Sequence, residues 1–591
     1  MTARVGWILP VAFALGAWAL PPSVPAQVID VRPTTPPPAP PSVEALRNAL
    51  EQFERYRRSR LPTWSGTPQN MPCQERIGRY CYWYDEEEPD PPPEPVSIVS
   101  ARDRLIARLD SAGNAWPDDP WIAGQRVRYL VEAGRLDEAV RAAQQCTVEE
   151  WWCPALQGFA LHAAARHTAA DSAFDRALAL MSPQQRCAWR DVRLLVDESL
   201  RGRYVDMSCT AREALEARVW WLARPMLSSV GNDARAEHYS RRVMAMLLED
   251  TPSPYEDRFD HDEEELLLRY GWPYAWSKDY ARGINSGGID INVVGHERRP
   301  AYPMIPPRAV LGSPATSDSL VWRGKVQRVT ARYAPPYARR LVPLEHQAGR
   351  FRRGDSSLVV VAWSVAADAT LSAAAKEPGA LRAGFVLTAG EPDDAVVIRR
   401  QDPGTHGTFV AAFPGDSVLM STEIVAPRDS TLARARYGLT PRVGPGLGFH
   451  MSDFVLFDAS GQLPENLEEV IPRLRTSERL PEGSRVGIYW ETYAASPTPV
   501  PVQVSLTVAN MSSSGGWWQR TLRALRLARE ARPITMGLQD VVRPGEAFTP
   551  RAMVVDLSPL RPGRFVIELE LTTQSGAVVR VERPITIVAA G

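Results

Sequence analysis

The stretch SVLMSTEIVA at 417–426 decides how the second half of this chain folds. It stands in a series with LVVVAWSVAA (358–367), AGFVLTA (383–389), AVVIRR (395–400) and TFVAAF (408–413). In these runs β-branched and apolar residues recur at a period of two, and Gly, Pro and Asp interrupt them. Short strands at this spacing, split by turn residues, read as an antiparallel β-sandwich. A second series follows: DFVLFD (453–458), RVGIYWETYA (485–494), VQVSLTVA (502–509), PITMGLQD (533–540), AMVVDLS (552–558), RFVIELEL (564–571) and VVRVERPITIVA (578–589). Two Ig-like sandwiches are therefore expected, over 321–450 and 451–591.

Towards the N-terminus the period changes from two to that of a helix. From Ser42, a fitting N-cap, Leu46, Leu50, Phe53 and Tyr56 recur at steps of three and four. Residues 44–249 are expected to form a helical domain. Within it, WIAGQRVRYLVEAGRLDEAVRAAQQC from Trp121 parallels LQGFALHAAARHTAADSAFDRALALM from Leu156. Gly134 and Ala139 in the first correspond to Ala165 and Ala170 in the second, and small residues there let two helices approach closely. Ala170 and Phe174, followed by Pro183, match the small-to-aromatic pattern of the tetratricopeptide repeat, which this array resembles. The resemblance implies stacked helix pairs that hold a protein partner in a groove. The fold class is thus multidomain α plus β, a TPR-like helical domain followed by two antiparallel sandwiches.

Residues 250–320 read as an irregular connector. Its acidic run, Asp260-His261-Asp262-Glu263-Glu264-Glu265, precedes LLLRYGWPYAW, and IDINVVG reads as a short strand. The segment around Gly271-Trp272 resembles the GWxTD-type proteins, exported bacterial proteins of unknown activity. Pro-Tyr-Ala follows it in place of the family's x-Thr-Asp, and no catalytic residue carries over.

Met1–Ala26 has the form of a secretory signal peptide: Arg4, an apolar run from Trp7 to Leu20, then Val24-Pro25-Ala26. A proline-rich tether, 27–43, follows. Cys73, Cys81, Cys146, Cys153, Cys187 and Cys209 are an even set in a chain marked for export, which favours disulfides. Pairing of sequence neighbours is the simplest of the possible connectivities. None has C-x2-C spacing, so no metal site is expected. The expected location is the periplasm, the outer membrane or the outside of the cell, with no membrane span once the signal is removed. The net charge of −1 gives no overall field for nucleic acid.

No G-x-S-x-G, H-E-x-x-H, Walker A or C-x-x-C motif occurs, and no cofactor is expected. Asp260 with His261, and His296 with Glu297, are the weak candidates for acid–base work. Acidic residues before a helix also suit its dipole, and a surface turn is the default reading of His296-Glu297. Trp151, Trp152, Trp220, Trp221 and Trp272 serve either as packing or as an exposed aromatic binding platform. The stretch 515–532 reads as a basic helix inserted in the second sandwich. Trp517, Trp518, Arg520, Arg523 and Arg526 suit it to a membrane surface, an acidic partner or a neighbouring sheet. The function expected is that of a non-catalytic scaffold of the bacterial cell envelope that engages a protein partner. An envelope hydrolase with its site at 255–300, and a glycan-binding protein, are the alternatives.

Overall fold

The computed structural model describes residues 41–64, 73–148, 150–255, 259–282, 289–322, 329–441, 448–510 and 534–589. The N-terminal part is a layer of α-helices and the C-terminal part is built of β-sheets, a mixed α and β architecture. The signal-like segment, nearly all of the tether and the basic stretch 515–532 lie outside the described residues. Among the described residues no helix is long and apolar enough to cross a membrane.

Helix Val43–Arg60 starts where Ser42 Oγ accepts a hydrogen bond from the Ala45 N–H, and its Leu46, Leu50 and Phe53 enter the helical core. Helices Pro120–Glu132 and Leu136–Gln144 form one pair, Trp152–Ala163 and His167–Leu180 the next. The two pairs turn alike. Gly134 and Ala165 both take positive φ, 70° and 55°. Arg135 N–H donates to Leu130 O at 2.9 Å in the first turn, and Arg166 N–H to Leu161 O at 2.9 Å in the second. An alanine in this conformation is strained by about 1 kcal/mol, so the turn is imposed by the packing of the pair. Asp233–Glu249 then packs across Trp152–Ala163.

The disulfides join Cys73 to Cys81, Cys146 to Cys153 and Cys187 to Cys209. The last pins the start of helix Cys209–Ala223 to Pro183–Arg190.

Residues 250–320 do not hang free. They contain helix His261–Tyr270 and the hairpin Ala275–Arg282/Ile289–His296. Leu267, Trp272, Trp276 and Val293 pack into the same hydrophobic cluster as the helices. Burial of these apolar side chains holds the stretch on the helical layer.

In the first β region, five strands run in the order Val396–Gln401, Arg382–Thr388, Val418–Ala426, Thr431–Leu439, Arg340–Pro343. All pair antiparallel except the last two, which are parallel. A three-stranded sheet, His406–Pro414, Ser356–Ser364, Glu345–Arg353, shares a hydrophobic cluster with it. The second region holds a sheet centred on Arg485–Ala494 and a five-stranded sheet with Val500–Asn510, Gly563–Thr573 and Val578–Val588 at its middle. These two sheets also share one cluster, around Ile488, Trp490, Leu506 and Ile567.

Strand Val418–Ala426 is buried at all nine positions. Its alternate residues Val418, Met420 and Ile424 enter the cluster between the two sheets. Leu419 instead joins Trp220, Trp221 and Leu222 of the helical layer. On that helix-facing side lies Glu423, fully buried. Its carboxylate accepts from Leu227 N–H at 2.8 Å, Ser228 N–H at 2.9 Å, Ser421 Oγ at 2.8 Å and Arg436 Nη2 at 2.8 Å, and also from Ser228 Oγ. Arg436 also donates to Arg224 O and Pro225 O, both at 3.0 Å. Burial pushes the Glu423 carboxyl up, but Arg436 and the Ser228 donors outweigh it and hold it below the usual carboxylate range.

The sheet admits this loop because Gly384 has no side chain: a Cβ there would lie 2.0 Å from Ser228 Oγ. Gly384→Ala should therefore destabilise the protein by about 1–3 kcal/mol. Ser228→Gly in the same chain should recover part of that loss. Guanidinium unfolding of the two single variants and the double variant tests this; strict additivity would contradict the contact.

Candidate functional site

A cleft of about 360 Å³ opens where three small elements meet the helical layer. Such a volume lies at the lower end of small-ligand sites. One wall is the hairpin Glu75–Ile77/Tyr80–Tyr82, closed by the Cys73–Cys81 bridge. Helix His261–Tyr270 is the second wall, and the hairpin ending at His296 is the third.

Local chemistry locks these walls together. The Tyr82 and Tyr270 rings stack with centroids 3.5 Å apart and planes 6° apart. Tyr80 OH donates to Glu263 Oε1 at 2.7 Å, and Arg269 bridges Glu265 at 2.8 Å and Glu75 at 3.0 Å. Against the third wall, Gly295 leaves room for Tyr255, whose hydroxyl would lie 2.0 Å from an added Cβ. Tyr82, Tyr84, Tyr255, Trp272 and Trp276 line the space. Two ion pairs border it: Arg128–Glu132 at 2.9 Å, and Arg299–Glu88.

Glu297 is the exception among these charged groups. It borders both this cleft and a smaller cavity of about 80 Å³ that shares Trp272 with it. Among the described residues its carboxylate has neither a side-chain hydrogen bond nor an ion pair. Burial pushes it up to about 7; its own backbone N–H and the charge of Arg241 offset this only in part. Arg241 is engaged elsewhere, with Glu237 Oε1 at 2.7 Å, Leu268 O at 3.0 Å and Arg332 O at 2.5 Å. Tyr82 and Tyr255 both feel the Glu297 charge, which adds to the upward push that burial gives their hydroxyls.

The other acid–base candidates do not join it. His296 is 1% exposed and shares a 2.8 Å hydrogen bond between Nε2 and Ser277 Oγ. Its ring meets Trp64 edge-on, centroids 4.7 Å apart, and burial pushes it down to about 4. A neutral imidazole inside the hairpin is a packing group. Asp260 is the N-cap of helix His261–Tyr270: its Oδ1 accepts from Asp262 N–H at 3.0 Å and Glu263 N–H at 3.1 Å. It also pairs with Arg79 at 3.2 Å. His261 is exposed in the first turn of that helix. The acidic run thus serves the helix start and the docking of the hairpin.

Of the five tryptophans singled out from the sequence, Trp272 alone reaches the cleft. Trp151 and Trp152 lie edge to face with centroids 5.9 Å apart, and Trp152 Nε1 donates to Pro120 O at 3.2 Å. Trp220 and Trp221 are 4% and 7% exposed in the cluster beneath the first sheet, where contact with the sheet keeps them from forming an open platform. Trp517, Trp518, Arg520, Arg523 and Arg526 lie outside the described residues. Tyr82, Tyr84, Tyr255 and Trp276 were not singled out from sequence. The signal for two of them was present in the aromatic run YCYWY at 80–84, folded back by its own cysteine.

No known protein family matches the chain, and no curated protein does. Among solved structures, the soluble domain of PmoD from Methylocystis sp. overlaps 25% of this chain and 96% of its own length, with 10% identity and a TM-score of 0.15. A DUF3823 family protein from Bacteroides ovatus overlaps 42% of this chain and all of its own, with 8% identity and a TM-score of 0.15. Red sea bream transglutaminase overlaps 43% of this chain and 32% of its own, with 11% identity and a TM-score of 0.13. At such scores none carries an argument about fold or function.

The environment of Glu297 has a measurable consequence. In the unfolded chain the carboxyl ionises near the ordinary 4.5, whereas in the folded protein it keeps its proton up to about 7. The folded state therefore binds more protons between those values, and stability falls as pH rises through that window. Glu297→Gln carries no such penalty. It should match the wild type at pH 4 and exceed it at pH 8 by up to about 3 kcal/mol in urea unfolding. The same difference at both pH values would contradict this reading.

Proposed function

We propose that this chain is an exported, non-catalytic interaction protein of the bacterial cell envelope, with the aromatic cleft as the place where it holds its partner. The single observation that carries this reading is the cleft itself. Its walls are fixed by a disulfide, a ring stack and ion pairs, so its aromatic faces are in position before anything binds, which lowers the entropic cost of recognition. The failure of Asp260, His261 and His296 to meet Glu297 favours binding over hydrolysis.

The matching turns at Gly134 and Ala165 support a TPR-like reading of the helix pairs. Antiparallel sheets that share a core in each β region support the Ig-like reading. The GWxTD resemblance falls on the cleft wall, where Gly271 and Trp272 both line the space. Export is supported by the signal-like N-terminus together with three disulfides.

A second reading, an envelope hydrolase with its site at 255–300, is favoured by Glu297, since a carboxyl that keeps its proton to about 7 suits a general acid. It requires a partner base in the same cleft, which the placement of His296 does not supply.

The test places a photoreactive phenylalanine analogue at Trp83, beside the cleft, in the full-length protein in its own cells. One discrete protein adduct is expected, reduced at least tenfold by Trp272→Ala. No adduct, or one indifferent to Trp272→Ala, would refute the cleft as the partner site. Hydrolysis of envelope material that Glu297→Gln abolishes would replace the binding reading by the enzymatic one.

A further inference from the structure

The binding reading leaves open what chemical group the cleft receives, and the charges around it narrow the choice. Three of the guanidiniums that border the cleft or the cavity beside it are committed. Arg128 pairs with Glu132 at 2.9 Å and donates to Gln125 Oε1 at 3.3 Å. Arg299 pairs with Glu88 and donates to Asp85 O at 3.1 Å. Arg241 is held by Glu237 and two backbone carbonyls. Arg298 is exposed to solvent at the rim. Once these pairs are set aside, the Glu297 carboxylate stands in the wall with no counter-charge paired to it among the described residues.

A carboxylate desolvated without a partner is costly, and an incoming cation removes that cost. The rest of the lining suits a cation of a particular kind. A hard, strongly hydrated metal ion calls for several oxygen ligands, and among the described residues no cluster of three or more His, Cys, Asp or Glu is placed to hold a metal. Aromatic faces, in contrast, attract organic cations through the ring quadrupole. The same neighbourhood already uses them so: Arg332 lies over the Tyr84 ring at 3.9 Å and Arg57 over Trp276 at 4.9 Å. The stack on Tyr270 holds Tyr82 in place.

We infer that the cleft is a site for a compact organic ammonium ion, lodged against the Glu297 carboxylate and framed by Tyr82, Tyr255 and Trp272. The inference rests on the binding reading above. Two sources offer that group, a free quaternary ammonium compound and the side chain of a lysine presented by a partner protein.

Three probes separate these possibilities by titration calorimetry on the full-length mature protein. Choline stands for the free ammonium, Nα-acetyl-lysine N-methylamide for the side chain, and 3,3-dimethylbutan-1-ol for choline with its charge removed and its shape kept. At least one ammonium probe should bind, and at least tenfold more tightly than the neutral alcohol. Glu297→Gln should weaken the ammonium probe at least tenfold and leave the alcohol unchanged. Whichever ammonium probe binds more tightly identifies the source. Comparison within the wild type needs no variant, so the inference stays testable even if Glu297→Gln folds poorly.

Binding of the alcohol as tight as that of the better ammonium probe would overturn it, as would failure of both ammonium probes or indifference to Glu297→Gln. If the Trp83 adduct forms and saturating ammonium does not compete with it, the ammonium inference alone falls and the binding reading stands. If neither adduct nor ammonium binding occurs, both fall.

Discussion

The Glu423 carboxylate is the point on which the helical layer and the first β region depend. It sits on the middle strand of a sheet whose two faces are both covered, and its bonds tie a loop of the helical layer to two strands of that sheet. The backbone N–H groups of Leu227 and Ser228 come from the loop after helix Cys209–Ala223, Ser421 from its own strand and Arg436 from the next strand. A buried charge of this kind adds little net stability over an apolar substitute. Its effect is on geometry. The three contacts that reach the loop fix where it lies on the sheet, and Leu419, Trp220 and Trp221 then pack in one register.

The same device recurs at the join of the two β regions. Glu491 accepts from Arg353 at 2.6 and 2.8 Å and from Tyr489 and Tyr493 at 2.9 and 2.7 Å. Gln347 exchanges bonds with both backbone groups of Leu456, at 2.7 and 2.8 Å. Arg583 reaches Ala348 O and Phe454 O, each at 2.7 Å. Around these polar contacts, Phe351, Val455, Phe457 and Tyr489 form a hydrophobic cluster of their own. Both joins are buried, hydrogen-bonded and specific, so the parts that look separable in the sequence form one connected body from residue 41 onward.

This explains what was and was not legible in the sequence. The strand at 485–494 was readable to the residue, because Val486, Ile488 and Trp490 stand at alternate positions along it. Thr431–Leu439 and Glu345–Arg353 were missed, because Arg434, Arg436, Gln347 and Arg350 occupy positions where an interior strand normally shows apolar residues. Those residues are the joins themselves: a side chain recruited to bond another part of the fold looks like a surface residue until its partner is known. The cleft was half legible for the same reason. Glu297 and Trp272 stood out by type, but Tyr255 sits in a proline-rich loop, and only the fold brings it against Gly295. His296 looked equivalent to Glu297 in sequence. The alternation of the strand sends one side chain into the hairpin interior beside Ser277 and its neighbour into the cleft wall.

The distance along the chain between Glu423 and the loop it holds, 196 residues to Leu227, bears on how this protein is made. The ribosome delivers the helical layer first, with Trp220, Trp221, Leu222 and Leu227 grouped on one face. The strand that covers them is completed only at Ala426. At the usual elongation rate of about 5–20 residues per second, that face waits on the order of ten seconds or more for its cover. Throughout that interval the nascent chain presents a greasy tryptophan surface to its surroundings. Shielding of that face until the strand arrives, by a holding chaperone or by delayed folding of the helical layer, is the consequence of this topology.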